Sequence, residues 1–279
     1  MVQQTTLWHK QFTFRGKKLY YNRIPFNNRA ERAVEVPVAF NFLARRQEDV
    51  PILEIGNVLQ HYENGLSDAV GIRNRRIVDK FEVGQGISNI DVMDLDSQEK
   101  YPTIISISTM EHVGQNCAPS GQFGEASTLS DLEAPLKAIA KIYDLLAEDG
   151  QALITVPFGK LMDGGWYVQF SPAYLDLLVS SYGVPREALT VNCLKSVAYE
   201  PRWNNPRQQW IEVDAAELSH VRYHMILGGA RSIAVIELTK LARPFTLKTD
   251  VPSTPLMYER SRLTRNLSFA TGSLLRLFQ

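Results

Sequence analysis

Over the middle of the chain, apolar residues fall in short continuous runs divided by polar stretches. That is the pattern of strands buried on both faces of a parallel sheet. Residues 50–55 (VPILEI), 76–78 (RIV), 88–92, 103–107 (TIISI) and 151–156 (QALITV) predict such strands. Between the last two, residues 132–146 place Leu136, Ile139, Ile142, Tyr143 and Leu146 at helical spacing, and Glu148-Asp149-Gly150 closes that helix. Ahead of the first strand, EVPVAFNFLARR predicts a helix with Pro37 in its first turn, Glu35 before it and Arg45 and Arg46 near its end, a charge order that suits the helix dipole. Ser171-Pro172 opens another helix, as an N-cap serine followed by proline at the first helical position. Late strands are predicted at 189–194 and 232–238. Between them lie an insertion, YEPRWNNPRQQWIEV, and a helical stretch, DAAELSHVRYHMI. The first stretch, FTFRGKKLYYN, predicts a hairpin around Arg15-Gly16-Lys17-Lys18.

The expected fold is therefore α/β: a doubly wound, mostly parallel seven-stranded sheet with an N-terminal hairpin and an insertion between the last two strands. The expected divisions are a hairpin extension over 1–30, a main domain over 31–243 with its insertion at about 198–228, and an irregular tail over 244–279. In that tail, arginines such as Arg260, Arg262, Arg265 and Arg276 stand among leucines; self-packing or disorder is favoured over an amphipathic surface helix.

Composition narrows the partners. The chain has 279 residues, and 30 basic side chains balance 30 acidic ones, so no global field draws it to polyanions and a dedicated nucleic-acid binder is not expected. Cys117 and Cys193 form no paired motif and read as free thiols of a reducing compartment. With no apolar leader and no run near the ~20 residues of a spanning helix, the expected location is the cytoplasm, without a membrane span.

Ligands of open α/β sheets bind beyond the carboxyl ends of the strands, at the point where strand order reverses. Acids and a glycine stand at those ends. Glu54 and Gly56 close the first strand (LEIGNVL), and Asp79 closes the second (IVDKFE), where a carboxylate can accept from both hydroxyls of a ribose. Asp91 and Asp94 flank the third (NIDVMDLD), and Glu111 and His112 follow the fourth (SISTMEHV). Glu54 has an alternative role as a helix-capping acid, and His112 as the residue that orients Glu111 or its loop.

Taken in order, LEIG, IVDKFE, NIDVMDLD, SISTMEHV and LLAEDGQALITVP resemble the motifs of class I S-adenosylmethionine-dependent methyltransferases, in particular the small-molecule branch, from about residue 34 to 240. The resemblance implies a Rossmann-like methyltransferase fold and S-adenosyl-L-methionine as cofactor. It implies a cofactor site of Glu54, Gly56, Asn57, Asp79, Lys80, Asp91, Val92, Ser108 and Glu111. One departure stands out: the loop Glu54-Ile55-Gly56-Asn57-Val58-Leu59 keeps one glycine where the family has two or three. A nicotinamide cofactor needs those glycines for its pyrophosphate, whereas S-adenosylmethionine carries no phosphate.

The expected activity is methyl transfer to a small polar acceptor, at an oxygen of a sugar or related metabolite. The alternative is a catalytically inactive methyltransferase fold kept for binding or assembly. His112 is the first candidate base, with His61 behind it, and Asp163 is placed to hold a substrate hydroxyl. Tyr62, Trp166, Trp203 and Trp210 are the candidate substrate contacts; the alternative role of Trp203 and Trp210 is to pin the insertion to the core. His220 and His224, four apart, read as a solvated helix face rather than a metal site.

Overall fold

The computed structural model describes residues 9–25, 27–46, 50–115, 131–203, 205–223 and 229–260. The chain opens on a hairpin, β1 (Gln11–Phe14) and β2 (Lys17–Tyr20), closed by Arg15 and Gly16, both at positive φ. Its alternation is the predicted one: Phe12 and Phe14 are buried, and each contributes roughly 2–3 kcal/mol by leaving water.

α1 (Arg32–Leu43) starts earlier than the sequence predicts, and Pro37 lies inside it rather than in its first turn. The missing proline N–H would have served the Ala33 carbonyl, which instead accepts from the backbone N–H of Asn22 at 2.9 Å. Then follow β3 (Ile52–Ile55), α2 (Glu63–Val70), β4 (Arg75–Val78), β5 (Ile87–Ser88), β6 (Tyr101–Ile107), α3 (Ala134–Leu145) and β7 (Leu146–Pro157). β5 is shorter than the predicted third strand. Asp91 and Met93 leave the ladder, because the Asp91 side chain accepts from Met93 N at 3.0 Å and caps a 3-10 turn.

Beyond β7 come β8 (Met162–Asp163), β9 (Val168–Gln169), α4 (Pro172–Ser180), β10 (Leu189–Glu200), β11 (Arg207–Val213), β12 (Ser232–Thr239) and β13 (Glu259–Arg260). The central sheet has eight strands rather than seven, in the order β11-β10-β12-β7-β6-β3-β4-β5. The added strand is the insertion itself: QQWIEV pairs antiparallel with β10 and extends the edge. β3 to β7 run parallel, and β12 is antiparallel to both β7 and β10. This is a doubly wound, Rossmann-like α/β sheet.

The predicted helix DAAELSHVRYHMI reduces to one 3-10 turn at Ala215–Leu218 within the described residues, and His224 lies outside them. Tertiary partners take the backbone groups a helix would need: the Val221 carbonyl accepts from Lys160 N and from the Gln169 side chain. Two cores flank the sheet. α1, α2 and the hairpin cover one face, and α3 and α4 the other. Residues 244–258 run over the second face without regular structure, with Phe245 edge-on to Tyr143 and Thr254 N donating to Glu133. The arginine- and leucine-rich end from 261 lies outside the described residues. No helix among them is long and apolar enough to cross a membrane.

Candidate active site

Strand order reverses between β3 and β6, so the carboxyl ends of these strands frame the crevice where this architecture receives ligands. α1 runs antiparallel to the parallel strands: Arg46, just past its C-terminal end, meets Gln151 in the middle of β7, and its first turn meets Ser108 past the end of β6. The helix is apolar on nearly every side, with Val34, Val36, Val38 and Phe42 all buried. Glu35 is therefore buried too, and its carboxylate must be paired.

That pairing organises the site. One Glu35 oxygen accepts from the hydroxyls of Ser108, just past β6, at 2.6 Å and Thr155, in β7, at 2.7 Å. The other receives Arg32 at 2.7 Å. Ser108 holds φ at 41°, a left-handed value uncommon outside glycine. The turn then sends Glu111 and His112 toward the same end. Glu111 is 3% exposed, and its Oε2 has no hydrogen-bond partner among the described residues. Burial, then the negative charge of Glu35, holds its carboxyl well above the usual range. Burial and the charge of Glu35 raise Glu31 to about 7.

His112 is fixed from two sides. Its Nδ1 lies 2.8 Å from the Trp166 carbonyl, and its ring stacks on the Trp166 indole at 5.0 Å and 9°. A carbonyl only accepts, so Nδ1 carries the proton and Nε2 is the unprotonated nitrogen. Nε2 stands 3.8 Å from Glu111 Oε1. Burial pushes the imidazole down to about 4, and Asp79 is close enough to oppose that shift. Tyr167 and Tyr223 complete an aromatic wall, their rings 4.5 Å apart and Tyr167 edge-on to Trp166.

The cofactor residues expected from sequence divide into two groups. Ser108, Glu111 and His112 share one neighbourhood with Trp166, and Asp79 acts on His112 through its charge. At the tip of β4, Asp79 Oδ1 accepts from the N–H groups of Phe81 and Glu82, both at 2.8 Å. Lys80 reaches Asp91 at 2.8 Å, and Val92 is buried in the core. Asn57 bridges from the first loop to Glu82 at 2.8 Å. Glu54, by contrast, already has partners in its own chain. Oε1 accepts from Leu59 N at 2.8 Å, and Oε2 lies 2.8 Å from Arg75, whose side chain is 6% exposed. Its geometry is that of the helix-entry cap, and burial raises it to about 7.

Gly56 is required for a different reason than ligand approach. Its φ is 84°, and a Cβ there would lie 2.1 Å from the Thr109 hydroxyl oxygen. The Thr109 side chain covers the glycine. Gly56→Ala is expected to cost about 2–3 kcal/mol, from left-handed strain and overpacking together. Urea unfolding measures it, and Gly56→Ala/Thr109→Gly should recover the packing part only.

Among the remaining candidates, Tyr62 is buried and ties the first loop to the segment before α1, by hydrogen bonds with Asn22 and the Asn27 carbonyl. Asp163 accepts from Gly165 N and shapes the turn that carries Trp166. His61 is exposed. Trp203 is 71% exposed on the insertion. Trp210 is 2% exposed in the core under the hairpin, bonded to Gln208, which removes it from substrate contact. No metal-binding group of histidine, cysteine and carboxylate side chains exists among the described residues. Arg32, Glu35, Thr155, Tyr167 and Tyr223 escape the motif reading; the signal for Glu35 was an acid inside a helix with no polar face.

No family model and no characterised protein sequence matches this chain. Among solved structures it is similar to the N-methyltransferase NodS from Bradyrhizobium japonicum WM9, in complex with S-adenosyl-L-homocysteine, at 12% identity over 73% of this chain and 84% of that one, with a TM-score of 0.36. It is similar to the Burkholderia thailandensis 1,6-didemethyltoxoflavin-N1-methyltransferase, with bound S-adenosylhomocysteine, at 15% identity, 75% and 79% coverage and a TM-score of 0.39. The [4+2]-cyclase SpnF matches at 12% identity, 85% and 87% coverage and a TM-score of 0.40.

Proposed function

We propose that this chain is an S-adenosylmethionine-dependent methyltransferase that methylates an oxygen of a small polar acceptor, a sugar or related metabolite. One observation carries the proposal. At the switch point between β3 and β6, a carboxylate at a strand tip (Asp79), a buried carboxyl with an unpartnered oxygen (Glu111) and an oriented neutral imidazole (His112) meet at one end of the sheet.

The residues present fit the cofactor. Only one Asp79 oxygen is engaged by the protein among the described residues, which leaves the other for ribose hydroxyls. The orphaned Glu111 Oε2 is a buried acceptor suited to the cationic end of a sulfonium amino acid. When bound, S-adenosylmethionine supplies a methyl group already activated on sulfur. The protein then has to align the acceptor, exclude water and remove a proton. His112 Nε2 takes that proton, while the Nδ1–H bond to the Trp166 carbonyl and the stacked indole hold the ring in place. Tyr167 and Tyr223 wall the site against solvent. Trp203, exposed beside Arg202 on the insertion, is the residue that favours a sugar-like acceptor.

A second reading, a methyltransferase fold without catalysis, is favoured by a specific feature: Thr109 covers Gly56 where the family's loop is open. Titration calorimetry with S-adenosylmethionine separates the two. Saturable binding is expected, and Asp79→Ala should weaken it about tenfold to a hundredfold, the worth of hydrogen bonds to a charged group. Absence of heat at millimolar cofactor would favour the non-catalytic reading. Binding indifferent to Asp79→Ala would remove the ribose role.

A further inference from the structure

A hollow of about 340 Å3 opens between the N-terminal hairpin and the insertion. Asp79, Glu111 and His112 do not line it. Lys10, Arg23, Arg202 and Arg207 line it. Only one carboxylate answers these four cations in the described residues: Glu200, 2.9 Å from Arg202 and 3.7 Å from Arg207. Among the described residues Lys10 and Arg23 make no ion pair. Like charges gathered around one concavity repel one another, and an anion in the hollow relieves that repulsion.

Tyr21, which also lines the hollow, supplies an independent sign. The residue is 8% exposed. Its oxygen accepts from the Trp210 backbone N–H at 2.8 Å, yet its own O–H finds no acceptor among the described residues. A tyrosine that lines the hollow with an unused O–H donor can give it to a ligand held there. Cations and an O–H donor lining one hollow are the donor set of a phosphate site, with guanidinium groups that can bind in a fork.

We propose that this hollow binds the phosphate or diphosphate group of a small phosphorylated molecule. Its volume suits one compact group, and the balanced charge of the chain offers no basic track along which a polymer would lie.

Titration calorimetry of the full chain with inorganic pyrophosphate at low salt tests this. One saturable site is expected, weakened about tenfold or more in Lys10→Gln/Arg23→Gln, because two cations that face the anion are lost. Tyr21→Phe should weaken it about threefold or more, the worth of one hydrogen bond. Lys10 and Arg23 are exposed, so the double variant should keep the parent Tm and its affinity for S-adenosylmethionine. No heat with pyrophosphate, or binding unchanged in the double variant, overturns the proposal. So does a short single-stranded oligonucleotide that displaces pyrophosphate at far lower concentration and with steep salt dependence, since the surface would then be a polymer track. Failure here leaves the cofactor titration untouched, so the two readings stand or fall separately.

Discussion

Glu35→Ala is expected to lower unfolding stability by about 3–5 kcal/mol, the range for removing one partner of a buried charged network. The truncation strips the Ser108 and Thr155 hydroxyls of their acceptor and Arg32 of its carboxylate in one step. It also frees Ser108, whose left-handed backbone is held partly by that bond, and with it the turn that presents Glu111 and His112. Urea unfolding of the parent and the variant gives the number. Glu35→Gln should cost less, since an amide oxygen still accepts from a hydroxyl while the attraction to Arg32 is lost. A loss below about 1 kcal/mol for the alanine variant would show that water replaces the carboxylate and that the network does not fix the site.

Turnover with a methyl acceptor should fall about 10²- to 10⁴-fold in His112→Ala, the usual contribution of a positioned base. Its pH dependence is the sharper test. A base works in its neutral form, so activity is present above the imidazole's pKa and lost as pH falls through it. Burial sets that value at about 4 in the folded protein, below the ordinary 6.5. The acid limb of kcat/KM should therefore sit near 4, with no step near 6.5. Glu31 titrates at about 7 in the same cluster, so any inflection there should vanish in Glu31→Gln and persist in the His112 variants. An acid limb at 6.5 that survives Glu31→Gln would mean that the ring is solvated and not held as described.

The same groups show how far a linear reading reaches. Asp79, Ser108, Glu111 and His112 stand out as candidates because they sit at strand ends, and in a parallel sheet all those ends share one edge. Glu54 sits at such an end as well. Its side chain turns to Leu59 N and Arg75, and no local pattern distinguishes an acid that caps its own chain from one that waits for a ligand. Trp210 looked like a loop aromatic because its segment is rich in arginine and asparagine. Pairing with β10 makes that segment a strand and turns the indole inward under Phe12 and Phe14.

By itself the sequence determined the parallel sheet, the hairpin, the Ser171-capped helix and the edge at which polar residues gather. Each of these follows from periodicity and turn chemistry within a dozen or so residues, which neighbours along the chain can specify. Tertiary structure alone decided that α1 delivers Glu35 to Ser108 and Thr155, that Trp166 fixes the His112 ring, and that the insertion becomes an eighth strand. Those contacts join residues far apart in the chain, and their energy comes from satisfying buried polar groups that only folding brings within reach.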